Sequence, residues 1–157
     1  MPEQPPHLLI VEARFYTDLA DALAKGATEA LDRVGATYDR VGVPGALEVP
    51  GTIALAIAAG ARGGLARPYD GYIALGVVIR GETSHYDTVC AESARGIMDL
   101  TVRQLAAVGN GILTVEDRAQ AWVRADPTDK DKGGAAALAA MALLDHKRRW
   151  RLHPDGA

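Results

Sequence analysis

The feature that most constrains the fold is an apolar run that ends abruptly in polar residues. Tyr72 to Ile79 is interrupted only by Gly76, and the polar segment Arg80 to His85 follows it directly. A continuous apolar run of this length is typical of a strand buried on both faces, as in a parallel sheet. Open parallel sheets bind ligands at the carboxyl ends of their strands. The sequence therefore predicts that the segment after this strand carries chemistry.

Strand and helix signals alternate along the chain. Apolar or β-branched runs predict three further strands, at Leu8 to Val11, Ala36 to Val43 and Gly111 to Val115. Five helices are predicted, at Tyr16 to Val34, Val49 to Ala61, Val89 to Val108, around Gln120 to Arg124, and Gly134 to about Trp150. In the first of them the apolar residues are spaced three and four apart. This alternation predicts an α/β protein with three layers, in which helices cover both faces of a four-stranded parallel sheet.

Size and charge limit the classes of function. With 157 residues, 48% of them hydrophobic, the chain can bury one core, so we expect a single domain over residues 1–157. Its core should lie at about residues 7–145, between a short proline-rich tail and a basic helix end. The formal net charge of −3 disfavours nucleic acid and anionic membranes as partners.

Cysteine and histidine usage bears on compartment and metal content. A single cysteine, Cys90, allows neither an internal disulfide nor a cysteine-rich zinc site. The histidines His7, His146 and His153 lie near the termini without ligand spacing, so we expect them to be solvated and expect no metal site. A signal-peptide pattern and a membrane-spanning run are both lacking, which predicts a cytoplasmic protein.

The segment after Ile79 has the composition of an anion site. Backbone N–H groups of a glycine-containing turn, with hydroxyl groups alongside, can hold a phosphate, and the candidates are Gly81, Glu82, Thr83 and Ser84. Arg124, at the end of the short helix, can add a charge-assisted contact. The segment lacks the lysine and the spacing of a Walker loop, so this signal is weak on its own.

His85 is the candidate for proton transfer. An imidazole exchanges protons near neutral pH, but a loop histidine can also cap the next helix, and the residues alone leave both open. Ser84, His85 and Asp87 include the residue types of a catalytic triad. Side chains from so short a segment cannot easily align nucleophile, base and orienting group, which disfavours that mechanism.

Two other segments offer ligand contacts. Phe15, the only phenylalanine, follows Arg14 just past the first predicted strand, where its ring can stack on a flat ligand or pack beneath the first helix. The segment VPGALEVPG, residues 43–51, predicts a turn around Glu48. That carboxylate either favours the dipole of the next helix or accepts hydrogen bonds from a ligand, and both remain open.

The last predicted helix begins Ala-rich on every side. A helix that is apolar all round requires burial on every side, which a small domain rarely provides, so we infer subunit contacts. Its ending HKRRW, residues 146–150, places cations at the negative end of the helix dipole. We favour this explanation over an RNA-binding tail, which needs a broader basic surface.

Six motifs, read in order, resemble one family. They are RF (14–15), PGALEVP (44–50), ALGVVIRGETSHYD (74–87), GILT (111–114), QAWVR (120–124) and DKGG (131–134). Over roughly His7 to Asp145 the chain resembles the lumazine synthases, which catalyse the penultimate step of riboflavin biosynthesis. The resemblance implies a flavodoxin-like fold. It also implies that 5-amino-6-(D-ribitylamino)uracil condenses with 3,4-dihydroxy-2-butanone 4-phosphate to 6,7-dimethyl-8-ribityllumazine, with release of phosphate and water and without a cofactor.

The resemblance assigns roles to individual positions. His85 matches the proton-transfer residue. The phosphate-binding positions are Gly81, Glu82, Thr83 and Arg124. The positions that contact the pyrimidinedione and the ribityl chain are Phe15, Ala46, Leu47, Glu48, Val77, Val78, Ile79, Asn110 and Lys132. Because the family builds each site between adjacent subunits, we expect Asn110, Arg124 and Lys132 to come from the neighbour of the chain that supplies Phe15 and His85.

Four positions depart from the family pattern. Members often have Asn at Tyr16, Phe at Leu47, an aromatic residue at Asn110 and Asn at Asp131. The residues at Leu47 and Asn110 predict weaker apolar and stacking contact with the uracil. They leave open a non-catalytic carrier of lumazine or flavin on the same fold, whereas the motif series disfavours a general phosphate-binding module.

The resemblance also implies a homo-oligomer, either a pentamer or a larger shell of pentamers, and it makes riboflavin synthase a candidate partner. Pro2, Pro5 and Pro6 favour the pentamer. Proline cannot donate a hydrogen bond to a strand ladder, so an N-terminal strand added to a neighbour's sheet would be poor.

Overall fold

Within residues 4–153, which the computed structural model describes, four strands alternate with five helices. The strands are β1 (His7–Ala13), β2 (Thr37–Val43), β3 (Gly71–Ile79) and β4 (Val108–Val115). The helices are α1 (Thr17–Arg33), α2 (Glu48–Ala61), α3 (His85–Arg103), α4 (Arg118–Ala125) and α5 (Lys132–Arg149). No helix in this part of the chain has both the length and the apolar composition needed to cross a bilayer.

The strands form one parallel sheet in the order β2-β1-β3-β4. Alternate side chains of each strand enter different cores, because the side-chain period of a strand is two residues. In β1, Leu8 and Ile10 pack in the core with α1, α4 and α5, whereas Leu9 and Val11 pack in the core with α2 and α3. The predicted three-layer α/β fold is confirmed, and burial on both faces explains the apolar run in β3.

The carboxyl edge of the sheet is stepped. The ladder between β1 and β3 ends at the pair Glu12 and Leu75, whereas the ladder between β3 and β4 continues to the pair Ile79 and Val115. Residues 77–79 of β3 therefore run past Ala13, the last residue of β1. This step opens a space at the edge where parallel sheets bind their ligands.

Two glycines allow α5 to pack closely against its neighbours. A Cβ atom at Gly109 in β4 would collide with the carbonyl oxygen of Ala136, and one at Gly133 would collide with that of Leu23 in α1. Only residues without a side chain permit backbones to approach this closely. These contacts hold α5 against both the sheet and α1.

Only one face of α5 is buried within the protomer. Ala136, Ala140 and Leu144 are buried, whereas Leu138 on the other face is 54% exposed and Leu143 is 36% exposed. The protomer thus covers one side of a helix that is apolar on both sides. The predicted subunit contacts on the other side stay a prediction.

The predicted bounds of α3 were wrong at both ends. The helix begins at His85 rather than Val89, because its first turn is polar and the apolar period starts one turn later. The helix ends at Arg103 rather than Val108. Just after this end, Leu105 adopts a left-handed φ of 56°, and the N–H of Ala106 donates to the carbonyl of Leu100. Glycine is the usual signal for such an end. Because α3 ends earlier than predicted, β4 can begin at Val108 rather than at the predicted Gly111.

The prediction that the terminal histidines are solvated was wrong for two of them. Nδ1 of His7 lies 2.8 Å from Oγ1 of Thr37, and Nε2 of His153 lies 2.9 Å from Oδ1 of Asp70. The His153 side chain is only 15% exposed. Both residues attach chain ends to the amino edge of the sheet, opposite the step described above.

Candidate active site

A cleft of about 360 Å³ lies at the step in the carboxyl edge, and we call it the Phe15 cleft. It brings together predicted site residues from three separate segments. Its lining consists of Phe15, Tyr16, Gly45, Ala46, Leu47, Glu48, Val77, Val78, Ile79, His85 and Val89.

Phe15 presents an exposed ring to this cleft. The residue joins the end of β1 to the start of α1, and 73% of its surface is accessible. Its ring meets Tyr16 edge-on, with 4.9 Å between ring centroids and an interplanar angle of 76°. The alternative of packing beneath α1 is therefore wrong, and one ring face is available to a flat ligand.

The other walls of the cleft are a strand end and a turn. Val77, Val78 and Ile79 belong to the part of β3 that runs past β1, so backbone groups on that side are available to the edge of a ligand ring. In the turn before α2, the N–H of Glu48 donates to the carbonyl of Gly45 at 3.2 Å. This places the exposed Glu48 carboxylate at the first residue of α2, on the cleft side.

His85 lines the same cleft as the first residue of α3. Its backbone N–H lies 3.3 Å from Oγ1 of Thr83, and its side chain is exposed. Ser84 and Asp87 are not among the lining residues, and Oδ1 of Asp87 instead lies 3.6 Å from Nη1 of Arg80. The cleft lining thus includes both an imidazole and an aromatic ring, and it does not form a serine triad.

The segment between β3 and α3 is anchored by Arg80. Its Nε donates to Oε2 of Glu116 at 2.7 Å, and its guanidinium carbon lies 4.3 Å from the centre of the Tyr86 ring. The hydrogen bond to Glu116 raises the pKa of Arg80 above its usual value. Arg80 therefore links the end of β3 to the first turn of α3 and to the residue after β4.

Gly81, Glu82 and Thr83 are exposed and lie just before α3. They line neither the Phe15 cleft nor the groove described below. The first N–H groups of a helix lack partners within the helix and carry partial positive charge. An anion held by these residues would therefore lie next to His85, at the rim of the cleft.

The remaining predicted site residues lie elsewhere on the protomer. Asn110, Arg124 and Lys132 line a separate groove of about 370 Å³, between β4 and α5, which we call the Arg124 groove. Nη1 of Arg124 donates to the carbonyl of Gln120 at 3.1 Å, and Oδ1 of Asn110 accepts from the N–H of Ile112 at 3.0 Å. The structure brings these three residues together but does not bring them to Phe15 and His85.

Sequence reasoning missed residues of two kinds. Tyr16, Gly45 and Val89 also line the Phe15 cleft, and Val89 could have been found because it lies one helical turn after His85. Glu12 does not line the cleft but is a buried carboxylate, 3% exposed, at the end of β1. Its signal was an acidic residue directly after the apolar run Leu8 to Val11.

The fold and the cleft together define an α/β protein with a small-molecule site at the carboxyl edge of its parallel sheet. A family model described as 6,7-dimethyl-8-ribityllumazine synthase matches residues 5–148. The chain belongs to the 6,7-dimethyl-8-ribityllumazine synthase family.

Individual relatives agree with this assignment. A 6,7-dimethyl-8-ribityllumazine synthase 1 of Rhizobium meliloti (strain 1021) is 58% identical over 146 residues, which cover 93% of this chain and 94% of the relative. A 6,7-dimethyl-8-ribityllumazine synthase of Agrobacterium fabrum is 56% identical over 92% of this chain and 96% of the relative. A 6,7-dimethyl-8-ribityllumazine synthase of Novosphingobium aromaticivorans is 58% identical over 90% of this chain and 96% of the relative. The similarity thus extends over nearly the whole of each chain.

Proposed function

We propose that this chain catalyses the condensation of 5-amino-6-(D-ribitylamino)uracil with 3,4-dihydroxy-2-butanone 4-phosphate. The product is 6,7-dimethyl-8-ribityllumazine, in the penultimate step of riboflavin biosynthesis. The observation that carries the proposal is the shared cleft of Phe15 and His85 in a member of this family. A ring suited to stacking and a group suited to proton transfer in the lining of one cleft support this reaction.

The uracil substrate is flat, polar at its edges and extended by a polyol. In the proposed complex its ring stacks on Phe15, and its edge forms hydrogen bonds with the backbone of Val77 to Ile79. The ribityl hydroxyls reach the turn at Ala46 to Glu48, where the Glu48 carboxylate accepts hydrogen bonds. The ring amine then faces the second substrate near His85.

His85 serves proton transfer in three steps of the proposed reaction. The amine of the uracil attacks the ketone carbonyl, and loss of water gives an imine. Inorganic phosphate is then eliminated, and the second nitrogen closes the ring with loss of water. Each step moves protons between nitrogen, carbon and oxygen, and an imidazole can accept and return them near neutral pH.

The phosphate of the second substrate binds at the start of α3. The backbone around Gly81 to Thr83 supplies N–H donors there, and a guanidinium opposite them would complete the anion site. Arg124 is the proposed guanidinium, with Lys132 near the ribityl hydroxyls. Both residues line the Arg124 groove rather than the Phe15 cleft, which supports their supply by a neighbouring chain.

We propose a pentamer in which the Arg124 groove of one chain faces the Phe15 cleft of the next. The apolar face of α5 that remains exposed in the protomer, with Leu138 and Leu143, supports contacts beside that groove. Light scattering tests the assembly: the expected mass is that of five chains, and a monomer would contradict shared sites. Riboflavin synthase stays a candidate partner, which co-sedimentation of the two proteins would test.

A fluorescence assay with the purified chain and both substrates tests the activity. We expect lumazine fluorescence and released phosphate to increase together, because one phosphate leaves for each ring formed. A chain that binds the uracil or the product but releases no phosphate would be a carrier, and that outcome would contradict the proposed function. Leu47 is 42% exposed in the cleft, and it offers less stacking contact than the aromatic residue common in the family. We therefore expect an uncommonly high KM for the uracil, while product formation should still require both substrates.

A further inference from the structure

Glu12 is a charged side chain that the cleft lining does not include. It lies on β1 and is only 3% exposed. A buried carboxylate is costly unless it is paired and hydrogen-bonded. Arg40 on β2 approaches it twice, with Nε 2.7 Å from Oε2 and Nη2 3.0 Å from Oε1. Nη1 of Arg14 lies 2.7 Å from Oε1, so two guanidinium groups hold one carboxylate.

Arg14 is fixed on several sides. Its Nη2 also donates to Oδ1 of Asp21 on α1, and its backbone N–H donates to the carbonyl of Val43 at 2.9 Å. The hydrogen bonds to Asp21 and Glu12 raise the pKa of the Arg14 guanidinium. Gly42 leaves room for the arginine chain, since a Cβ there would lie 3.2 Å from Cδ of Arg14. The residue before Phe15 is thus held by both its backbone and its side chain.

The residue after Phe15 is held as well. The carbonyl of Tyr16 accepts the N–H of Ala20 at 2.9 Å, at the entry to α1. Phe15 is the single residue between these two anchors, and its ring is mostly exposed. The direction of the ring therefore depends on the backbone around it more than on packing.

We propose that Glu12 is a positioning residue: through Arg14 it fixes the backbone that directs Phe15 toward the uracil. The inference rests on the proposed function, because it concerns binding of that substrate. Glu12 does not touch the ligand, and the two hydrogen bonds from Arg40 hold the carboxylate in place. The second substrate, which binds at the start of α3, is not affected.

The variant Glu12→Gln keeps the shape and removes the charge. We expect the KM for the uracil to increase about 10-fold, because a small displacement of a stacking group is costly, with kcat and the KM for the butanone phosphate nearly unchanged. In a Phe15→Ala background, Glu12→Gln should have no further effect on uracil affinity. In such a double-mutant cycle, the effects of substituting two residues that act through one another are not additive.

Asp70→Asn is a matched control at the opposite edge of the sheet. Asp70 is also largely buried, at 11% exposed, and its Oδ2 lies 3.0 Å from Nη2 of Arg67. This variant should lower the Tm without changing the KM for the uracil. If Glu12→Gln fails to fold, Asp21→Asn weakens the other carboxylate contact to Arg14 at an exposed position and should also raise the KM for the uracil.

Two results would overturn the inference. One is a Glu12→Gln variant that, like the control, loses only stability. The other is an equal loss of uracil affinity in the presence and absence of the Phe15 ring. Equilibrium binding of the uracil is measured alongside turnover, so a wild-type chain that binds but makes no product would contradict the proposed function while the role of Glu12 could still be decided.

Discussion

Phe15 and Arg124 of one protomer line two separate sites. Phe15 lines the Phe15 cleft at the end of β1, whereas Arg124 lines the Arg124 groove between β4 and α5. The proposed reaction requires the uracil and the phosphorylated substrate to be in contact. On the proposed function, one protomer therefore contributes part of two sites and completes neither.

Replacing His85 tests the proton-transfer role. We expect His85→Ala to lower kcat by about 10- to 1,000-fold without abolishing turnover, because positioning of two reactive substrates supplies the remaining acceleration. His146→Ala is the control, since His146 is an exposed histidine stacked on Trp150 at the far end of α5. Steady-state rates at saturating substrates decide the matter, and wild-type turnover in His85→Ala would remove this residue from the mechanism.

Replacing Arg124 tests the phosphate contact. Loss of charge-assisted hydrogen bonds worth about 1.5–3 kcal/mol should raise the KM for the butanone phosphate about 10- to 100-fold. Arg118→Ala is the control on the same helix, because Arg118 pairs with Asp18 at an exposed site where ion pairs contribute little. An unchanged KM for the butanone phosphate in Arg124→Ala would contradict the proposed role.

The close contact between β4 and α5 predicts a selective effect on stability. Gly109→Ala should lower the free energy of unfolding by about 1–3 kcal/mol, because the new methyl group meets the backbone carbonyl of Ala136. Gly51→Ala in α2 is the comparison: its Cβ would meet nothing within 4 Å, so a gain of about 0.4–1 kcal/mol is expected. Chemical unfolding at one protein concentration measures both. Equal effects at the two positions would contradict the packing of α5.

Tyr69 predicts a loss of stability at high pH. Burial, with a hydrogen bond to Asp39 at 2.7 Å, raises the pKa of Tyr69 to about 12. An unfolded tyrosine titrates near pH 10, so this contribution is complete below about pH 10 and is lost as the pH rises through about 12. The variant Tyr69→Phe should be less stable than the wild type at neutral pH, and its free energy of unfolding should fall less between about pH 10 and 12. A phenolate titration in which Tyr69→Phe removes no late-titrating group would contradict this.

The layers of the fold could be predicted because burial leaves a direct trace in the sequence. A strand such as β3, covered on both faces, has to be apolar at nearly every position, and its run of residues shows this. The end of α3 left no such trace, because Leu105 adopts a conformation that glycine usually marks. His153 was also misjudged, since its partner Asp70 is distant in sequence.

The candidate site divides in the same way. Most residues of the Phe15 cleft belong to motifs that resemble one family and that follow the predicted strands, so their meeting at one edge of the sheet was predictable. The support behind Phe15 was not predictable, because Glu12, Arg40 and Asp21 come together only through strand pairing and helix placement. Pairing of charged groups across elements has no fixed spacing in sequence.

The most direct measurement of a site shared between chains is a mixing experiment with two defective variants. His85→Ala and Arg124→Ala chains are dissociated, combined in equal amounts and reassociated, and activity is assayed at a low concentration of the butanone phosphate. Random mixing in a ring gives about one quarter of the interfaces an intact His85 and an intact Arg124 together. We predict activity well above the mean of the separate variants, approaching that fraction of the wild-type rate. Activity that stays at the mean would contradict a site built from two chains.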